Sequence, residues 1–207
     1  MDLPRPSKIV CVGRNYLEHA RELGNDVPER PLIFLKPPSS LLAEGEPIVL
    51  PFESERVEHE GEIAVVIGRR ARHVPAPEAW DFVAGIAALN DVTARDLQKS
   101  DGQWTRAKGF DTFCPIGHAL PLDQVEDRDG LEVITRVNGE VRQHGRVSEM
   151  AFDIPHLIAY ISGVMTLEPG DVIATGTPAG VGPLHDGDLV EVEIPGVGSV
   201  RNPVKHA

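Results

Sequence analysis

Short apolar runs separated by glycine and proline are the feature that most constrains the fold of this sequence. Runs such as KIVCV, EIAVVI and LVEVEI have the length of single strands, and the 20 glycines and 18 prolines provide turns between them. The pair Asn138-Gly139 stands between two alternating segments, which is the strongest local signal for a β-hairpin. Helical spacing is limited to short segments near residues 15–23, 93–100 and 153–164. The pattern predicts an α+β fold, rich in mostly antiparallel strands, with few helices and several long loops.

Composition limits the partners and the compartment. The 32 acidic and 20 basic side chains give a formal charge of −12, so we expect neither nucleic acid nor a membrane surface as a partner. Two cysteines, Cys11 and Cys114, are too few for a disulfide framework and are predicted to be reduced, buried thiols. The sequence starts without an apolar signal core and contains no apolar run long enough to span a membrane. We therefore expect a cytoplasmic protein.

Three acidic residues are spaced as ligands of a divalent cation could be. In a strand, Glu60 and Glu62 project from the same side with Cβ atoms roughly 6–7 Å apart, where their charges repel unless a cation lies between them. Asp91 ends an apolar strand and needs a partner or an ion if it is buried there. Three such carboxylates would suit Mg²⁺ or Mn²⁺. The exposed face of an edge strand explains the two glutamates at least as well, and a helix cap explains Asp91.

Four further side chains could bind an anion. Arg95 and Gln98 share one face of a helical turn, and the planar fork of Arg95 suits a carboxylate. Lys108 has apolar and glycine neighbours, where an ammonium group favours an anionic partner, although an exposed lysine is the simpler interpretation. Thr177 adds a hydroxyl donor to the glycine-rich turn TGTPAGVGP, which could equally be an ordinary loop. That turn lacks the Lys-Ser/Thr ending of a P-loop, so nucleotide binding is not predicted.

A candidate general base lies in the first predicted helix. His19 and Glu22 are three residues apart and share one helical face, and a carboxylate beside an imidazole makes the imidazole a better proton acceptor. An exposed pair on a helix surface has the same spacing. Asn15 is predicted to cap this helix and Gly24 to end it.

Seven sequence blocks resemble those of one known family in both their residues and their order along the chain. The blocks VGRNYLEHARE, FLKPPSS, HEGEIAVVIG, NDVTARDLQ, AKGFDTFCPIG, VNGEVRQ and GTPAGVGPL resemble the fumarylacetoacetate hydrolase family from about Lys8 to about Val204. The likeness is closest to its short members, the acylpyruvate hydrolases and oxaloacetate decarboxylases. It implies a homodimer with a mixed β-roll core of the fumarylacetoacetate hydrolase C-terminal type. It also implies a small N-terminal region with a mobile lid helix at 1–50 and a catalytic core at 51–207, which together form one compact unit.

The resemblance also assigns roles to the candidate residues. The ligands that it implies for a Mg²⁺ or Mn²⁺ ion are Glu60, Glu62 and Asp91. The residues that it implies for binding the carboxylate and oxo groups of the substrate are Arg95, Gln98, Lys108 and Thr177, with Lys108 counted as catalytic. The catalytic pair that it implies on the lid is His19 and Glu22. Small relatives often have a bulkier residue where this chain has Gly61, a departure that leaves the metal ligands intact.

The reaction implied by this resemblance is metal-dependent cleavage of acylpyruvates, 2,4-dioxo acids such as fumarylpyruvate or acetylpyruvate, to pyruvate and a carboxylic acid. A small anionic 2-oxo acid would bind the metal, and His19 with Glu22 would activate the attacking water. Decarboxylation or tautomerisation of oxaloacetate at the same site is the alternative within enzymes. A non-catalytic β-roll that binds a metal or a partner is the alternative from another class, and it would leave the three acidic residues scattered.

Overall fold

The computed structural model describes residues 5–22 and 28–207, apart from the side chains of residues 19–21. The strands within these residues are β1 (Ile9–Gly13), β2 (Leu32–Lys36), β3 (Leu41–Leu42), β4 (Ile48–Leu50), β5 (Val57–His59), β6 (Gly61–Ile67), β7 (Val83–Asn90), β8 (Thr93–Ala94), β9 (Cys114–Pro115), β10 (Leu120–Pro121), β11 (Glu132–Val137), β12 (Glu140–Arg146), β13 (Val172–Ala174), β14 (Gly182–Pro183), β15 (Leu189–Ile194) and β16 (Gly198–His206). The helices are α1 (Leu17–Glu22), α2 (Arg95–Ser100), α3 (Thr105–Gly109) and α4 (Ile154–Val164). Single 3-10 segments occupy Pro38–Ser40, Ala76–Phe82, Leu122–Gln124 and Val147–Glu149. These elements confirm the predicted strand-rich α+β class.

Two large mixed sheets build the molecule. The six-stranded sheet has the order β10-β7-β6-β13-β1-β2, and only β1 and β13 pair in parallel within it. The five-stranded sheet has the order β12-β11-β15-β16-β4, and its one parallel pair is β16 with β4. Smaller sheets join β14-β5-β8 and β3-β9. This topology is the mixed β-roll that the resemblance implies.

Both faces of β6, in the interior of the six-stranded sheet, are buried, because its alternate side chains enter different cores. On β6, Ile63 and Val65 pack in the core that the sheet shares with the five-stranded sheet and α4. Ala64 and Val66 project from the opposite face and pack in a second core with Leu89 of β7. A strand buried on both faces has a continuous apolar sequence, which explains the run EIAVVI.

Two local predictions are confirmed. Asn138 and Gly139 join β11 to β12 with positive φ angles of 53° and 83°, as a type I′ turn requires. Asp153 caps α4, because its carboxylate accepts the His156 amide at 2.8 Å, and Pro155 lies in the first turn of that helix. Turn and cap residues act locally, so these two features can be predicted without knowing the rest of the fold.

The start of α1 differs from the prediction, because Asn15 does not cap the helix. Its Oδ1 accepts the Phe152 amide at 2.9 Å, and its Nδ2 donates to Phe152 O at 3.0 Å and to Thr175 O at 2.8 Å. These distant partners occupy the side-chain amide, and the helix begins at Leu17 without it. Asn15 instead fixes the base of α1 to the core. The predicted helix stop at Gly24 lies outside the described residues.

The first fifty residues contribute strands to both large sheets. β1 and β2 form one side of the six-stranded sheet, and β4 pairs with β16 in the five-stranded sheet. Strands from both sides of residue 50 thus share the same sheets, and the division at that residue stays a prediction.

Two expectations from composition concern the chain as a whole. Cys11 and Cys114 are both free and buried, as predicted. Burial raises the pKa of the Cys114 thiol to about 12, so it is protonated at neutral pH. In the part of the chain that the structure describes, no helix combines the length and the apolar character needed to cross a bilayer.

Candidate metal centre

Glu60, Glu62 and Asp91 converge at one end of the six-stranded sheet. One carboxylate oxygen from each residue lies within 4.8 Å of the others, and all three residues are buried. Strand alternation explains the convergence, because Glu62 continues the row of Ala64 on β6 and Asp91 continues the row of Leu89 on β7. The acidic residues are therefore neither scattered nor on an exposed strand face.

Backbone contacts hold the strands of these residues in place. The Asp91 amide donates to Glu60 O at 2.8 Å, and the Glu60 amide donates to Asn90 Oδ1 at 2.9 Å. Gly61, between the two glutamates, faces β11, and a Cβ there would come within 1.9 Å of Thr135 Oγ1. A bulkier residue at this position would need a smaller one at 135, which accounts for the glycine in this chain.

Two buried lysines bind the carboxylates. Lys108 Nζ donates to Glu60 Oε2 and Asp91 Oδ2, both at 2.7 Å. Lys36 Nζ donates to Asp91 Oδ1 at 2.6 Å and to Val92 O at 3.2 Å. Burial alone would lower the pKa of Lys108, but the charges of Asp91 and Glu60 raise it above its ordinary value. Lys108 is therefore a buried cation beside the acidic residues and not a surface lysine.

Arg95 uses all three nitrogens of its guanidinium group for side chains around the acidic residues. Nε donates to Glu58 Oε2 at 2.7 Å, Nη2 to Glu60 Oε1 at 2.5 Å and Nη1 to Gln98 Oε1 at 2.6 Å. Burial opposes the charge, but Glu60 and Glu58 raise the pKa of Arg95 above its ordinary value. Arg95 and Gln98 share one face, as their spacing predicts. Their contact with a substrate stays a prediction, and Arg95 would have to make it with its remaining N–H bonds.

Glu62 differs from its neighbours because no side-chain cation binds it among the described residues. Its Oε2 accepts the Gly176 amide at 2.8 Å. Burial, followed by the charges of Asp91 and Glu60, raises the pKa of Glu62 well above its ordinary value. A divalent cation would supply the missing positive charge, and carboxylate oxygens are ligands that Mg²⁺ and Mn²⁺ prefer. The donor set therefore fits the cation predicted from the sequence.

A buried glutamine, Gln143 of β12, joins the acidic strand to the glycine-rich turn. Its Oε1 accepts the Gly61 amide at 3.0 Å and lies 3.1 Å from His59 Nδ1. Its Nε2 donates to Thr177 Oγ1 at 2.7 Å and to Pro178 O at 2.8 Å. Thr177 Oγ1 in turn donates to Gly61 O at 2.8 Å. The hydroxyl proton of Thr177 is thus committed to the backbone, and its predicted role as a donor to the substrate would require that bond to break.

A cavity of about 400 Å³ lies against the acidic residues. Phe34 and Trp104 form an aromatic wall, with ring centroids 5.1 Å apart and ring planes at 73°. Gly13 makes room for this wall, because a Cβ there would lie 2.7 Å from the Trp104 ring. The volume suits a small organic acid. The predicted site residues that line the cavity are Glu22, Glu60, Glu62, Asp91, Arg95, Gln98, Lys108 and Thr177.

The predicted catalytic pair lies on α1. The side chain of His19 is outside the described residues. Glu22 lines the cavity, and both of its carboxylate oxygens lie 3.2 Å from the Gly180 amide, which donates to them. This contact connects α1 to the glycine-rich turn after β13 and brings Glu22 to the same cavity as the acidic residues. The catalytic roles of the pair stay predictions.

Three buried residues of the site were not predicted: Lys36, Glu58 and Gln143. Lys36 ends the apolar run LIFLK before two prolines, and a lysine at the end of an apolar run is a signal that could have indicated it. Gln143 and Gly145 are the residues of β12 that turn inward. Because neither residue is apolar, the strand shows no pattern that marks its buried face.

Comparisons with known proteins agree with this geometry. The family described as fumarylacetoacetate hydrolase C-terminal matches residues 8–205. A mitochondrial oxaloacetate tautomerase of Arabidopsis thaliana is 51% identical over 199 residues, which cover 94% of this chain and 89% of the relative. A mitochondrial oxaloacetate decarboxylase of Dictyostelium discoideum is 47% identical over 195 residues, covering 92% and 89%. A structure of fumarylpyruvate hydrolase from Pseudomonas aeruginosa in complex with Mn²⁺ and pyruvate has a TM-score of 0.93 at 32% identity, covering 99% and 91%.

Proposed function

The chain belongs to the fumarylacetoacetate hydrolase family, and on that basis we propose that it is a metal-dependent enzyme that cleaves acylpyruvates to pyruvate and a carboxylic acid. The observation that carries the proposal is the buried cluster of three carboxylates in a cavity that Glu22 also lines. Similarity to a fumarylpyruvate hydrolase in complex with Mn²⁺ and pyruvate supports the metal and the substrate class.

Glu60, Glu62 and Asp91 would hold one Mg²⁺ or Mn²⁺ ion, which when bound supplies a Lewis acid for negative charge on the oxo group of the substrate. The support for this is the raised pKa of Glu62, caused by burial and then by the charges of Asp91 and Glu60. Lys36 fixes the orientation of Asp91 from the side of β2. The chain thus presents carboxylate oxygens whose positions are set before any ligand arrives.

Lys108 and Gln98 would bind the carboxylate end of the substrate. An ammonium group has three N–H bonds, and Lys108 uses two of them for Glu60 and Asp91, which leaves one for a substrate oxygen. Gln98 accepts from Arg95 through Oε1 and keeps its Nε2 for donation. Lys108→Ala should therefore depress turnover of acylpyruvates and of oxaloacetate alike.

Hydrolysis needs a base for the attacking water, and His19 with Glu22 would provide it. Glu22 would orient the imidazole of His19, which would accept the proton of the water. As the water oxygen bonds to the distal carbonyl carbon, the C3–C4 bond breaks and its electron pair stays on the pyruvate fragment. That fragment leaves as an enolate, takes a proton at C3 and becomes pyruvate.

Oxaloacetate is the second candidate substrate. The two relatives at 51% and 47% identity are named as an oxaloacetate tautomerase and an oxaloacetate decarboxylase. Decarboxylation forms the enolate of pyruvate by loss of CO₂, and tautomerisation forms an enolate by removal of a C3 proton. Neither reaction needs an attacking water, so one site could serve all three reactions.

A substrate panel of acetylpyruvate, fumarylpyruvate and oxaloacetate with Mg²⁺ and Mn²⁺ tests the proposal. We expect cleavage of acylpyruvates that a chelator removes and added metal restores. His19→Ala is expected to lower this cleavage by about 10²-fold or more, the usual worth of a positioned general base, and to lower oxaloacetate decarboxylation much less. Equal loss in both reactions would show that α1 acts by closure or orientation and that His19 is not the base that activates the water. Turnover of oxaloacetate alone would replace the hydrolase by the second candidate.

We further propose that the protein acts as a cytoplasmic homodimer. Leu32 and Leu35 lie on β2, an edge strand of the six-stranded sheet, with 36% and 46% of their surface exposed. Apolar side chains on an edge strand favour contact with another chain. Light scattering is expected to give twice the chain mass of 22.5 kDa. The mass of a single chain would contradict this.

A further inference from the structure

Arg14 lines the cavity without taking part in any role described above. It lies on the connection between β1 and α1 with a φ of 58°, in the left-handed region that residues other than glycine rarely adopt. Such a conformation persists where the surroundings hold it, and the next residue, Asn15, is fixed by its bonds to Phe152 and Thr175. The Arg14 side chain is therefore presented from a fixed base.

Arg14 lines two adjoining spaces, the cavity and a groove beside it. This groove of about 850 Å³ runs along β2 and residues 102–105. Among the described residues, only Arg14, Phe34 and Trp104 line both spaces, and we call these three the rim. A substrate whose 2-oxo acid end lies at the carboxylates would extend its other end along the aromatic wall toward this rim.

Arg14 carries a positive charge that no acidic side chain among the described residues pairs with. Arg95 and Lys108, the buried cations of the cavity, are bound to acidic side chains. By contrast, the half-buried Arg14 guanidinium has no hydrogen bond or ion pair with any described residue. A planar guanidinium group matches the geometry of a carboxylate and can donate two parallel hydrogen bonds to it.

We propose that Arg14 binds a second carboxylate at the distal end of the substrate, so that the site prefers 2-oxo acids with two carboxylates to those with one. The inference rests on the proposed function, because it requires the 2-oxo acid end to lie at the acidic residues. A charge-assisted hydrogen bond of this kind corresponds to about 10- to 100-fold in affinity.

Binding of two inert 2-oxo acids with the same five-carbon chain tests the proposal directly. With Mg²⁺ saturating, we expect calorimetry to show that 2-oxoglutarate, which has two carboxylates, binds about 10- to 100-fold more tightly than 2-oxopentanoate, which has one. Arg14→Gln is expected to remove most of this preference while the affinity for 2-oxopentanoate changes by less than about threefold. Arg14→Lys keeps the charge but not the planar fork and should retain part of the preference.

Lys99→Gln is the matched control, because Lys99 has the same charge, lines the same cavity and is exposed on α2. We expect it to keep the preference for two carboxylates. Equal loss of preference in Lys99→Gln and Arg14→Gln would assign the effect to the general field of the cavity and overturn the role of Arg14. An unchanged preference in Arg14→Gln would overturn it as well.

Turnover by the same variants separates this inference from the proposed function. If wild-type protein cleaves neither acetylpyruvate nor fumarylpyruvate, the proposed function is wrong, whatever the binding preference. If it cleaves both, and the ratio of the two kcat/KM values is the same in Arg14→Gln as in wild type, the role of Arg14 alone is wrong. We expect the variant to lose fumarylpyruvate cleavage selectively.

Discussion

Two buried carboxylates at opposite ends of the neighbouring strands β6 and β13 differ in how completely the chain satisfies them. Asp171 accepts hydrogen bonds from Ser7 N at 2.9 Å, Ser7 Oγ at 2.7 Å, Lys8 N at 3.1 Å and Glu168 N at 2.8 Å, and it also binds Lys8 Nζ. Glu62 accepts the Gly176 amide and has no side-chain cation among the described residues. The register of the two strands places Asp171 beside Ile67, at the other end of β6 from Glu62.

The difference distinguishes a carboxylate that serves the fold from one that serves a ligand. Burial would raise the pKa of Asp171, but the hydrogen bonds from Glu168, Lys8 and Ser7 lower it below its ordinary value. At Glu62, burial and the charges of Asp91 and Glu60 raise the pKa well above its ordinary value. The chain itself stabilises the charge of Asp171, whereas no side-chain cation among the described residues does this for Glu62.

The largest effect is expected for Glu62→Gln, which removes the unbalanced charge and a metal ligand together. Activity should fall by on the order of 10³-fold, because a Lewis-acid metal is worth several kcal/mol of transition-state stabilisation. Without metal, the melting temperature should stay the same or rise, since a repulsive buried charge has been removed. A variant that retains activity, or one that loses its fold by circular dichroism, would remove the contrast with Asp171.

A smaller effect, on stability, is expected for Lys36→Met. In this variant Lys108 is the one cation among the described residues that still binds Asp91. Because breaking a buried ion pair from one side is costly, the free energy of unfolding should fall by about 3 kcal/mol. Urea unfolding without metal checks this value. The double variant Lys36→Met with Asp91→Asn should recover much of that loss, because it removes both charges. Additive losses in the double variant would show that the two side chains are not energetically coupled.

The smallest effect is expected for Asp171→Asn, which weakens the bonds that hold residues 7–8 to β13. At pH 7 the free energy of unfolding should fall by about 1–3 kcal/mol, since several donors lose a charged acceptor. The pKa of Asp171 is lowered in the folded state, so the unfolded chain takes up its proton first as the pH falls. The stabilisation is therefore present above about pH 4 and is lost as the pH falls through the folded pKa.

Urea unfolding of wild type and Asp171→Asn between pH 7 and pH 3 checks this dependence. The two curves should approach one another at the acidic end. A difference that persists unchanged to pH 3 would mean that the side-chain charge of Asp171 is not what stabilises this end of the sheet.

The sequence predicts more of the acidic site than of the residues that support it. The two-residue period of a strand is enough to place Glu60 and Glu62 on one side, and an aspartate ending an apolar run stands out in any sequence. Which strands are neighbours depends on pairing across long stretches of chain. The residues alone therefore raise the approach of Asp91 to the glutamates only as one of two interpretations, and the family resemblance assigns it. Lys36 comes from β2, three strands away from β6 in the sheet, and no local pattern connects it to Asp91.

The wrong prediction for Asn15 has the same origin. An asparagine before a helix is a good cap when its side chain has only local partners. Here the backbone of Phe152 and Thr175 offers three hydrogen bonds to the same side chain, and these tertiary contacts replace the cap. Asp153, whose neighbours on the chain supply its partner, follows the local rule.

Titration of Mn²⁺ into metal-free protein, followed by electron paramagnetic resonance, tests the central claim most directly. The claim is that Glu60, Glu62 and Asp91 bind one divalent cation because, among the described residues, no side-chain cation binds Glu62. We predict one ion per chain in wild type and in Asp171→Asn, and binding at least about 100-fold weaker in Glu62→Gln. Equal binding by wild type and Glu62→Gln, or no stoichiometric binding by wild type, would contradict the claim.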